Sequence, residues 1–93
     1  VAPDVGPTYQ AKERIASAAL VVGVLGSMVG PDASPEATAG LAAAQAGLQE
    51  ARAHLARGAA GRASVAADRS RRLALDLTER LKRQREEKPS APD

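Results

Sequence analysis

The chain alternates between one stretch with no polar face and two stretches with a clear one. From Ile15 to Gly30 no charge, amide or ring interrupts the sequence. Only Ser17 and Ser27 are polar, and a serine in a helix can bond its own backbone. At helical rise this run is about 24 Å long, a little short of the ~30 Å hydrocarbon core of a bilayer. A surface helix of a water-soluble domain shows polar residues every three or four positions; this one does not. The pattern therefore predicts either a short membrane-spanning helix or a helix covered by protein. Gly23 and Gly26 point the same way: each costs about 1 kcal/mol in a helix in water, a cost that bilayers tolerate. Ala19, Gly23 and Ser27 recur at intervals of four, as do Gly26 and Gly30. Such spacing lets helix backbones approach closely and marks these five residues as the expected helix-docking face.

Beyond Gly30 the pattern becomes periodic. Gly30 and Pro31 end the apolar helix, with Gly30 placed for a left-handed cap. Ser34-Pro35-Glu36 then has the features of a helix start: a capping serine, a proline in the first turn and an acid at the positive end of the dipole. Leu41, Ala44, Leu48, Ala51 and Leu55 follow at spacings of three and four. Gly58-Ala59-Ala60-Gly61 breaks the helix, and so short a link predicts that the next arm folds back antiparallel. On that arm Ala66, Ser70, Leu73, Leu77 and Leu81 continue the seam. The pairing expected is Leu55 with Ala63 and Ala66, Leu48 with Ser70 and Leu73, and Leu41 with Leu77 and Leu81. The fold class is thus all-α: an apolar, transmembrane first helix and an antiparallel two-helix hairpin. Helices are expected near 9–29, 35–57 and 62–87, the first capped by Thr8. In domain terms, 1–8 is a disordered lead, 9–30 the apolar segment, 31–87 the hairpin with its turn near 58–61, and 88–93 a disordered tail.

Composition sharpens this picture by exclusion. The 93 residues include no Cys, Phe or Trp, and Tyr9 is the only aromatic residue. There is no disulfide framework and no thiolate metal site. Alanine dominates the apolar residues and contributes little buried area, so a bilayer, a partner or a second copy is expected to complete the fold. Net charge is +2, from 13 basic and 11 acidic residues. Arg69, Arg71, Arg72, Arg80, Lys82, Arg83 and Arg85 make the last arm basic. However, Asp68, Asp76 and Glu79 each stand four before an arginine, an arrangement that pairs charges along a solvated helix face. With no interleaved aromatics to stack on bases, this argues against a nucleic-acid partner. His54 lies beside the seam and cannot close a zinc site alone. No serine has a base partner, and no phosphate loop or metalloprotease motif occurs, so no catalytic residue, metal or cofactor is expected. The two arms resemble helical hairpins of tetratricopeptide-like and bundle proteins, without the aromatic and proline marks of a tetratricopeptide unit.

The function expected from these features is structural: a small accessory subunit that docks its span on a larger membrane protein complex. The alternative is a soluble helical adaptor, or an oligomeric bundle that covers its first helix with a partner or a second copy. For a spanning chain, Lys12 and Arg14 place the N-terminus on the cytoplasmic, matrix or stromal side, since no Lys or Arg follows from Pro31 through Ala51.

Overall fold

The computed structural model describes residues 6–87, and the lead before Gly6 and the tail after Glu87 lie outside the described residues. Three helices account for nearly all of it: α1 (Pro7–Met28), α2 (Pro35–Ala56) and α3 (Ala60–Glu87). Among the described residues there is no strand.

The helix ends follow from local chemistry. Ser34 caps α2, its hydroxyl accepting from the Ala37 N–H at 3.1 Å, with Pro35 in the first turn. At the other end of α2, Gly58 adopts φ +83°. The Gly58 N–H reaches the Leu55 carbonyl at 3.0 Å, and the Ala59 N–H reaches that of His54 at 2.8 Å. This paired pattern satisfies two carbonyls that the helix end would leave bare and requires a left-handed residue, which glycine supplies without strain. α3 then begins at Ala60, two residues before the expected start.

Two expected caps are not used. α1 starts at Pro7 rather than at Tyr9, and its N-cap is Gly6, with no side-chain bond. Proline suits the first helical position because its missing N–H has no intrahelical partner there, so Thr8 falls inside the helix. At the far end the chain leaves α1 through extended Val29, whose N–H bonds the Leu25 carbonyl. A turn closed by the Ala33 N–H on the Gly30 carbonyl follows, at 3.0 Å. Gly30 is not left-handed, because Val29 has already taken the chain out of the helix.

α3 is the centre of the assembly. It packs along both other helices, which touch each other much less. Its inward residues are Ala63, Ala66, Ala67, Ser70, Ala74 and Leu77. α1 contributes Ala11, Ile15, Ala18, Val22 and Leu25, and α2 contributes Ala37, Ala44, Leu48 and Ala51. Two clusters form. Near the α2–α3 turn, Ile15 and Leu48 sit among alanines of all three helices, with Leu55 packed alongside. At the other end Val22, Leu25, Ala44, Ala74 and Leu77 pack together, flanked by Leu41 and Leu81. Small residues let α2 and α3 come close: a Cβ on Gly47 would lie 3.2 Å from the Ser70 Cβ. There the buried Ser70 hydroxyl donates to the Ala44 carbonyl at 2.7 Å, tying the helices together.

The hairpin therefore covers one whole face of α1, which the sequence pattern did not anticipate. No helix among the described residues is long and apolar enough to cross a membrane. The uncharged stretch is too short: Lys12, Glu13 and Arg14 precede it, Pro31 and Asp32 follow it, and Ala, Gly and Ser dilute it. A span needs about 20 predominantly apolar residues.

Candidate interaction surface

With one face of α1 closed, its other face becomes the most unusual surface of the molecule. Leu20 is 73% exposed and Val24 54%. They lie four residues apart, on the same side of the helix and opposite Ala18, Val22 and Leu25. Exposed Ala16, Gly23 and Ser27 surround them. Ser27 satisfies its hydroxyl internally by donating to the Val24 carbonyl at 2.8 Å, so it adds little polarity to the strip. Tyr9, half exposed, extends the strip toward the start of the helix. Its phenol is held above the usual pKa by Glu13 one turn later, first through hydrogen bonding and then through the negative charge of the carboxylate.

The five expected docking residues divide in this arrangement. Gly23 and Ser27 are exposed on the outward face. Ala19 packs on the first core cluster. Gly26 is half buried against α2, where a Cβ would meet the Leu41 side chain at 4.0 Å. Gly30 is exposed in the turn. Leu20 and Val24, the large members of the surface, were not singled out by the sequence pattern. An all-round apolar helix has no phase of its own, and only the position of the hairpin decides which side faces out.

Of the expected hairpin seam, Leu48 and Leu77 are buried, as is Ala66. Leu41, Leu55 and Leu81 are partly buried at the edges of the clusters. Leu73 is 40% exposed, and Leu48 belongs to the buried cluster with Ala63, Ala66 and Ala67. Ala74 takes the inward position. It continues the row Ala63, Ala67, Ser70, Ala74, Leu77, and Leu73 stands about 80° from the centre of that row at 3.6 residues per turn.

Beside the outward face, between α1 and α2, lies an open groove of about 350 Å³ lined by Lys12, Ile15, Ala16, Arg52, Leu55 and Ala56. Its floor is apolar and two cations flank it. The ion pairs of the structure lie elsewhere. Arg14 Nη1 meets Asp68 Oδ2 at 2.6 Å and joins α1 to α3; Arg80 and Glu36 approach to 3.6 Å between α3 and α2. These contacts use Asp68 and Arg80 across helices. The pairs expected along α3, Asp68–Arg72, Asp76–Arg80 and Glu79–Arg83, do not come within 4 Å of each other. Being largely exposed, each cross-helix pair fixes register more than it adds stability. His54 is half buried on α2, with Nε2 3.6 Å from the Glu50 carboxylate. Among the described residues no three His, Asp or Glu side chains converge as a metal site would need.

The chain matches no family model, and no curated protein or solved structure matches it significantly.

Proposed function

We propose that this protein is a non-catalytic helical interaction module that docks on another protein through the outward face of α1. The observation that carries the reading is the exposure of Leu20 and Val24 on one face of a helix whose opposite face is buried. Contiguous apolar surface of this kind is a common mark of an interaction site. Ala16 and Gly23 beside these two residues give a partner helix room to approach closely. The hairpin, clamped by the Ser70–Ala44 hydrogen bond and the Arg14–Asp68 pair, acts as the scaffold that presents the strip.

This reading develops the soluble-adaptor expectation rather than the spanning subunit. Inserting α1 across a bilayer would strip it from the hairpin and leave Leu48, Leu77 and the alanines packed around them open to water, at a cost of about 1.5–3 kcal/mol for each large side chain so exposed. A photo-crosslinking residue placed at position 20, at 24 and at the exposed Gln49 of α2 tests the reading in cells producing the chain. Discrete protein adducts are expected at 20 and 24 but not at 49. Lipid adducts at 20, or the same adducts at all three positions, would overturn it.

A further inference from the structure

The groove between α1 and α2 combines an apolar floor with cations on both rims. We infer that it seats an amphipathic helix of a partner protein, with an aliphatic stripe flanked on both edges by Asp or Glu. The inference rests on the docking role of α1 and names the class of its partner, since the groove borders the strip that carries Leu20 and Val24.

Ile15, Ala16, Leu55 and Ala56 form the floor, with Lys12 on the α1 rim and Arg52 on the α2 rim. The floor carries no polar side-chain atom, and the backbone N–H groups beneath it are spent within α1 and α2. The groove thus offers no row of donors and acceptors to an extended chain. Such a segment would leave its own amides bare on the groove side, which is costly once water is excluded. A helix satisfies its backbone internally and can lay an apolar face on this floor. A small ligand fits less well. The groove, about 350 Å³, is large enough for one, but small-molecule sites enclose most of their ligand and this one is open.

Charge fixes the flanks of that helix. Lysine and arginine heads donate hydrogen bonds and accept none. Among the described residues neither Lys12 nor Arg52 is in an ion pair. Neither has an acid three or four residues away on its own helix, so no neighbour one turn off competes for it. Glu13 follows Lys12 in sequence but stands about 100° further round the helix. It is outside the groove lining, and its carboxylate is engaged with the Tyr9 phenol. Its charge keeps a partner's acids off the Leu20 side and leaves the groove rims as the place for them. A partner helix with aliphatic residues at spacings of three and four, and Asp or Glu on each edge of that stripe, meets the floor and both rims at once. Each carboxylate supplies the acceptor that a rim cation lacks.

Fluorescence anisotropy of labelled synthetic peptides titrated with the full chain tests this. The probe is a helical peptide with a leucine stripe at spacings of three and four and glutamate on both edges. One control carries lysine in place of glutamate, and another keeps the composition but scrambles the stripe. The glutamate peptide should bind, and both controls should bind about tenfold or more weakly. Lys12→Glu and Arg52→Glu should each weaken binding by about threefold or more. The double variant should prefer the lysine peptide, an exchange that no effect on folding imitates. Arg72→Glu, the same charge change at an exposed position of α3, should stay within about twofold of the parent. Equal binding of the glutamate and lysine peptides, or binding of neither, would overturn the acidic helix as occupant. If position 20 still cross-links to another protein in that case, the docking role of α1 stands and only the partner class falls. Two further results would also overturn it. Binding to phosphatidylglycerol vesicles that needs Lys12 and Arg52, without binding of the glutamate peptide, would give the groove to an anionic lipid surface. Self-association of the chain in sedimentation velocity, abolished by the double variant, would give it to a second copy.

Discussion

Ser70 and Leu73 stand three residues apart on α3, and the fold reverses what their polarity suggests. The serine is 2% exposed and the leucine 40%. The position of Ser70 on the seam was legible from spacing. Its partner, the Ala44 carbonyl, was not, because an interhelical hydrogen bond depends on how close two backbones come, and Gly47 sets that distance. At helical periodicity Ala74, not its larger neighbour Leu73, lies near the centre of the inward row, and there angle outweighs apolar bulk. The Ala44 carbonyl also has its place in the helical ladder, so Ser70→Ala should cost only about 0.5–1.5 kcal/mol. Ser70→Leu should cost more, about 1–3 kcal/mol, by forcing bulk against the Gly47 backbone. Leu77→Ala should cost about 2 kcal/mol or more, and Leu73→Ala should stay within about 0.5 kcal/mol of the parent. Urea unfolding of the four variants followed by circular dichroism measures the order.

At the scale of the elements, the helix boundaries that could be read in advance are those marked by a side chain with one dominant use. Ser34-Pro35 is such a signal, and so is Gly58 between two helical segments. Thr8 and Gly30 carried similar signals and were overridden, by Pro7 at the first helical position and by the extended Val29. Both outcomes depend on the path of the backbone rather than on the capping residue. The two glycines of the α2–α3 link also differ in role. Gly58 is left-handed, so Gly58→Ala should destabilise the protein by about 1 kcal/mol through strain at the turn. Gly61 lies in the first turn of α3 with nothing near the site of a Cβ. Gly61→Ala should therefore be neutral or stabilising by up to about 1 kcal/mol, because it removes backbone freedom from the unfolded chain. Thermal melting of the two variants side by side should move the midpoint down for the first and not down for the second.

For the whole molecule, the helix count and the antiparallel hairpin were legible because periodicity and turn chemistry are local. The placement of α1 was not, since a helix apolar on every side carries no record of which side its neighbours will take. The hairpin supplies that record with a surface rich in alanine, and alanine makes up nine of the fourteen buried apolar side chains among the described residues of the three helices. So small a core gives each large side chain a heavy share of the stability. Leu25, fully buried at the α1–α3 contact, and Leu20, 73% exposed on the far side of the same helix, are the same residue type in opposite environments. Comparing Leu25→Ala with Leu20→Ala by equilibrium urea unfolding in detergent-free buffer tests the placement of α1 most directly. Leu25→Ala should lose about 2–5 kcal/mol, and Leu20→Ala less than about 0.5 kcal/mol. Equal effects at the two positions, or a parent chain that unfolds without involving α1, would contradict a bundle that buries one face of α1 and presents the other.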